Sequence, residues 1–183
     1  MPGLTSPQNY PYPLYTEANN GPAQIQALAD AIDNGIVASQ ALIASIVSRK
    51  AFRVSSGVAQ SIPNNTNTLA VFATEEFDND TMFNVGVSTT NATVNTAGLF
   101  LFTMTSTWAA NATGVRMTAL LKNGVQVGAF QAVSAGGVLS SGTPFTMLIN
   151  AIVGDVFTVR LFQTSGGALN STSRVFSASR VSG

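Results

Sequence analysis

The sequence predicts a mainly β protein, an antiparallel sandwich or barrel preceded by an extended arm and one helix. Three observations carry that prediction. From Gly98 to Trp108 the chain alternates strictly, with Phe100, Phe102, Met104 and Trp108 on one side and Leu99, Leu101, Thr103, Thr105 and Thr107 on the other. A period of two with β-branched and aromatic side chains is the pattern of a strand. Next, Leu121-Lys122-Asn123-Gly124-Val125 sets Asn-Gly between alternating apolar runs. Both turn residues accept the positive φ of a type I′ hairpin turn. Finally, everything from Ala51 onward reads as short strands parted by polar turns, with candidates at 51–55, 69–73, 81–87, 97–108, 114–122, 125–133, 144–153, 155–163 and 173–181. Strands at that spacing suit a sandwich or barrel.

The strand at 97–108 is apolar on both faces near its start, so water is excluded from both. One face fills a sheet-on-sheet core; the other needs a second cover, and a neighbouring copy supplies it. Composition agrees. Charged residues are 9% of the 183, against an ordinary 45% of hydrophobic residues. Soluble domains usually carry about 25% charge, so this surface offers little repulsion to its own kind. Eight basic and eight acidic residues cancel, which leaves non-specific binding to nucleic acid or anionic membranes without electrostatic support. The sequence has no Cys and no His, which removes thiol chemistry, disulfides, the usual zinc sites and imidazole-dependent triads. No apolar run approaches the roughly 18 residues of a membrane span. The first residues have neither the basic nor the apolar region of a signal peptide, so the expectation is a protein that stays in the cell that makes it or leaves by lysis.

Residues 1–20 read as an extended arm. Pro7, Pro11 and Pro13 oppose a helix or central strand. Tyr10, Tyr12, Leu14 and Tyr15 lie among them and give large contact area at low entropic cost, as a docking peptide would. A helical stem follows over 21–49. Asn20-Gly21-Pro22 supplies a cap and a first-turn proline. Ile25, Leu28 and Ile32 then recur at the 3-and-4 spacing of a coiled-coil seam. Continuing that register brings Gly35, Ser39, Leu42 and Ile46 onto the seam. A four-residue slip brings Ile36 and Ile43 instead, a stutter. The expected helix covers about 22–48, bent or locally broken near Gly35.

The β region at 50–183 resembles the C1q-like (C1q/TNF) trimeric jelly roll. Ala51-Phe52 opens the domain, TVNTAGLFLF (93–102) matches the family's glycine-then-aromatics strand, and LLKNGVQV (120–127) its Asn-Gly hairpin. GDVFTVRL (154–161) matches its glycine-aspartate strand start and SRVFSASRV (173–181) its closing strand, although Ala178-Ser179 stands where a glycine-phenylalanine pair is usual. The resemblance implies a trimeric jelly-roll head, in which Leu99, Phe100, Leu101, Phe102, Trp108, Phe157 and Phe176 are the expected core or interface residues. YPYPLYTEANNGPAQIQALADAID is similar to the N-terminal segments of small tail and fibre proteins of tailed bacteriophages. Together the resemblances imply a short homotrimeric fibre on the virion, assembled in the host cytoplasm and released by lysis. The arm would bind other virion structural proteins and the head would adhere to a host surface, with a cell-surface glycan as candidate receptor. A capsid decoration or head-fibre protein, or a soluble C1q/TNF-like ligand or lectin module without a virion, is the alternative.

No catalytic, cofactor or metal site is expected. Asp78 and Asp80, with Glu75 and Glu76, form the one acidic cluster; it lacks the ligand spacing of a calcium loop and reads as a solvated turn. Asp155 falls in a turn of its own, which leaves no placed pair of carboxylates for glycoside hydrolysis. Trp108, in phase with Phe100 and Phe102, is expected in the core rather than stacked on a sugar. The Asn-X-Ser/Thr sequons at Asn64, Asn79, Asn91, Asn111 and Asn170 follow from composition, and Gly136-Gly137 and Gly166-Gly167 read as loop tips.

Overall fold

The computed structural model describes residues 3–4, 11–12, 21–47, 49–133 and 141–182, with side chains over 21–44, 49–133 and 142–182. The arm positions Tyr10, Leu14 and Tyr15, the side chains of Tyr12 and Ile46, the cap Asn20 and Gly136-Gly137 lie outside the described residues. The chain divides into two compact units, Met1–Ser48 and Arg49–Gly183.

In the first unit, β1 (Gly3–Leu4) pairs antiparallel with β2 (Pro11–Tyr12). The helix α1 runs from Gly21 to Val47, 27 residues. The break expected near Gly35 is absent. Glycine costs only about 1 kcal/mol against alanine inside a helix, and the flanking alanines, isoleucines and leucines carry the chain through. The Ser39 hydroxyl also donates to the Gly35 carbonyl at 2.8 Å.

The second unit is a two-sheet antiparallel sandwich. Its strands are β3 (Ala51–Ser56), β4 (Gln60–Ile62), β5 (Thr68–Leu69), β6 (Thr74–Asp78), β7 (Asn91–Thr93), β8 (Gly98–Trp108), β9 (Val115–Lys122), β10 (Val125–Val133), β11 (Ser141–Gly142), β12 (Phe145–Ala151), β13 (Val156–Gln163) and β14 (Leu169–Ser182). One sheet runs β6-β3-β14-β8, with β11 and β12 both pairing β8 and β4 pairing β14. The other runs β10-β9-β13, with β5 and β7 pairing β13. Two expected strands are corrected. The stretch 69–73 crosses between the sheets: Ala70 N–H bonds the Val159 carbonyl at 2.8 Å and Ala73 N–H the Ser55 carbonyl at 3.0 Å. In 81–87 the Asn84 side chain accepts from Gly86 N–H and its carbonyl from Val87 and Ser88, so a turn outcompetes the strand. Phe83 keeps a single bridge to Ala92.

Aromatic packing joins the sheets. Phe102 of one sheet meets Phe157 of the other at a centroid distance of 4.2 Å, and Phe176 contacts Phe52, Phe72 and Phe102. Phe52, Phe100, Phe102, Trp108, Phe157 and Phe176 are all buried. Rings at these separations add about 0.5–1.5 kcal/mol per pair beyond area burial. At the end of the sandwich where the chain enters, two turns interlock. Asn123 and Gly124 have the expected positive φ of 51° and 79°. The Asn123 amide donates to the Asp155 carboxylate while its oxygen accepts from Val156 N–H, both at 2.8 Å. At the far end, buried Arg174 donates to the Val71, Ser171 and Val58 carbonyls and to the Ser56 and Ser171 hydroxyls. Burial lowers its pKa, and among the described residues its hydrogen-bond partners are all neutral.

Candidate assembly surface

The outer face of the β6-β3-β14-β8-β12 sheet is the candidate site. Alternation sends Phe100, Phe102 and Met104 into the core and leaves Leu101 and Thr103 on the outside. Register then sets their neighbours. Ser177 lies opposite both Arg53 and Thr103, and Thr103 opposite Thr146. Ser179 lies opposite Ala51 and Leu101, and Leu101 opposite Leu148. At the other edge Phe77 pairs with Arg53. The central strands therefore carry Ala51, Ser177 and Ser179, and taller residues flank them. The result is a groove of about 280 Å³ whose floor is small side chains and whose walls are Phe77 on one side and Leu101 with Thr103 on the other.

The face exposes large apolar side chains among serines and threonines, with Arg53 its charged lining residue. Phe77 is 50% exposed, Leu148 56%, Leu101 37% and Val181 45%. Arg53 pairs with Glu76 at 2.6 Å. The Glu76 carboxyl is held below the usual carboxylate range, foremost by a hydrogen bond with Ser55, against some burial, and then by Arg53. A second patch lies along β10, the edge strand of its sheet among the described residues, which exposes Val125, Val127, Phe130 and Val133 without a charged residue. Native proteins usually blunt such edges with charge, proline or a cover.

The sequence-predicted residues separate into two groups. Phe100, Phe102, Trp108, Phe157 and Phe176 are interior, and the Trp108 indole donates to the Thr143 hydroxyl at 3.2 Å. Leu99 and Leu101 face outward. Phe77 and Leu148 complete the outer patch and were missed. FTMLI at 145–149 carries the same two-faced apolar pattern as 99–102 and could have revealed Leu148. TEEFD at 74–78 has no signal for Phe77. On α1, Ile25, Leu28, Ile32, Ile36, Leu42 and Ile43 are all exposed.

The acidic cluster differs in part from the solvated turn expected of it. Asp78 accepts from Asp80 and Phe83 N–H groups. The Asp80 side chain is only 8% exposed, 3.4 Å from the Lys50 ammonium and bonded by the Thr96 hydroxyl. Among the described residues no group of three or more His, Cys, Asp or Glu could hold a metal ion. Asp155 is in its turn as expected, but buried. Burial alone would raise its carboxyl. Hydrogen bonds from Lys122, Ile152 N–H and Asn123, with the Lys122 charge, outweigh that and hold it below its ordinary value.

No protein-family model matches the chain, and no curated protein matches it by sequence. Solved structures do match the β domain. The globular domain of zebrafish complement 1qA protein aligns with a TM-score of 0.55 at 15% identity, over 72% of this chain and 97% of that one. Murine APRIL aligns with a TM-score of 0.57 at 11% identity, over 73% and 99%. The Eiger TNF from S. frugiperda aligns with a TM-score of 0.51 at 10% identity, over 73% and 92%. Identities this low establish the fold: the β domain is a C1q/TNF-like jelly roll.

Proposed function

We propose that this chain is a non-enzymatic structural protein that works as a homotrimer: a short fibre of a tailed-bacteriophage virion, attached by its arm and presenting the jelly-roll head to a host surface. The observation that carries the trimer is the outer face built around Leu101, Phe77 and Leu148. It exposes these large apolar side chains beside few charges, and exposed apolar patches mark interaction sites. A cyclic assembly buries two unlike surfaces, and a ring closes when the rotation between them closes. The groove beside Leu101 and the uncharged β10 edge are two such surfaces. The C1q/TNF-like resemblance implies the same number, three. The stem supports self-association independently, because its apolar residues recur at the narrow 3-and-4 spacing of a coiled-coil seam.

The virion assignment rests on the similarity of residues 10–33 to phage tail and fibre N-terminal segments. Three copies of the arm make weak single contacts durable when they engage together. Native mass spectrometry should give a trimer; a stable monomer or dimer overturns the assembly. Deleting residues 2–19 should leave a folded trimer that no longer incorporates into particles. Normal incorporation of that variant overturns the attachment role.

A further inference from the structure

We infer that three copies of α1 form a parallel coiled coil whose seam changes register at Gly35, running through Ile25, Leu28, Ile32, Ile36, Ser39 and Ile43. This rests on the trimer reading and specifies its stem. No described side chain of α1 is buried within its own chain; Ile25 is 71% exposed. Helices owe most of their stability to packing an apolar face, so this one requires a partner. The partner is a second and third copy. All eight basic residues of the chain lie at Arg49 or beyond, the charges on α1 are Asp30 and Asp33, and Asp30 is already bonded by Gln26 at 2.7 Å. What remains is an isoleucine-rich seam, which another copy matches residue for residue.

Two registers compete over the second half of the helix. The unshifted one puts Gly35 and Ser39 in successive layers and leaves a gap two layers deep. The shifted one replaces Gly35 by Ile36 and Leu42 by Ile43, so Ser39 is the one polar layer. That layer is tolerable because the Ser39 hydroxyl is satisfied within its own helix by the Gly35 carbonyl, leaving no unpaired group in the seam. From Ile25 to Ile36 the apolar steps are 3, 4 and 4, an eleven-residue element of about 3.67 residues per turn. A nearly straight helix accommodates that period, and α1 is continuous through this segment. Cyclic symmetry about one axis makes the three helices run in the same direction, so each seam residue meets its own counterpart.

The chain has no cysteine, so single cysteines report contacts cleanly. In the full chain, Ile36→Cys and Ile43→Cys should form inter-chain disulfides on mild oxidation, at least tenfold faster than Leu42→Cys and Val37→Cys. Each should plateau with roughly two-thirds of chains in covalent dimers, because three thiols on one axis can make one bond. Leu42→Cys cross-linking faster than Ile43→Cys overturns the shifted register. Near-complete dimer formation overturns the three-stranded seam. If native mass spectrometry of the reduced variants shows no trimer, the assembly reading itself has failed, and the stem inference fails with it. Cysteine is a small hydrophobe. Should Ile36→Cys prove unstable by circular dichroism, the Ile43→Cys and Leu42→Cys pair still decides the register.

Discussion

Leu101 and Phe102 are sequence neighbours on opposite faces of one strand, and truncating each should have a different kind of consequence. Phe102 is buried, with Phe157 at 4.2 Å and Phe100 and Phe176 at 6.0 and 6.1 Å. Phe102→Ala removes a ring that ties the sheets together and leaves a cavity, a loss of about 3–5 kcal/mol. A domain of this size holds about 5–15 kcal/mol in total, so the variant should stay folded at room temperature but melt roughly 10–20 °C lower. Leu101 contributes little to that core. Its 37% exposure is what a neighbouring copy would cover. A full leucine burial is worth about 1.5–3 kcal/mol, so covering that remainder gives about 0.5–1 kcal/mol per chain. Three chains make about 1.5–3 kcal/mol, a 10- to 100-fold weaker trimer for Leu101→Ala. Thermal melts at several protein concentrations, read beside native mass spectrometry, separate the two. The Phe102→Ala deficit should persist at every concentration, whereas the Leu101→Ala deficit should shrink as concentration rises. If Leu101→Ala costs as much as Phe102→Ala with no concentration dependence, Leu101 belongs to the core and the assembly face is wrong.

Three further outcomes are expected. Because the folded-state pKa of Asp155 is depressed, its stabilisation is fully present above the ordinary carboxylate range and is lost as pH falls through the folded value. Asp155→Asn should therefore lower the melting temperature at neutral pH and flatten its decline below about pH 4; an unchanged acid limb in melts from pH 2 to 7 would count against this. Gly114 has φ +75°, and a Cβ there would run into the Thr164 carbonyl. Gly114→Ala should cost at least about 1–3 kcal/mol in a denaturant melt, against almost nothing for Gly167→Ala, where the space is open. Replacing Ile25, Leu28 and Ile32 together by Ser should loosen the stem and leave the β-sheet circular dichroism of the head intact at room temperature; its disappearance would mean that the head depends on the stem.

By itself the sequence determined what depends on local period and local φ. The alternation of Gly98–Trp108 is a property of successive residues, so it settled that Phe102 and Leu101 face opposite ways and that Trp108 shares a side with Phe100. Asn123-Gly124 likewise settled its hairpin, because few other dipeptides reach the two positive φ values it needs. Tertiary structure alone decided which residues share the outer face. Phe77, Ser177 and Leu101 line one groove only because the register carries it from β6 through β3 and β14 to β8, and pairing between distant strands leaves no periodic mark on any of them. The same holds for Arg174, which reads as an ordinary surface arginine in SRVFSAS. It can be buried because five neutral acceptors, brought in from segments as distant as Ser56 and Val71, converge on its guanidinium. Such a charge tolerates burial only when its donors are satisfied, and that depends on the folded positions of groups more than 100 residues away in the chain.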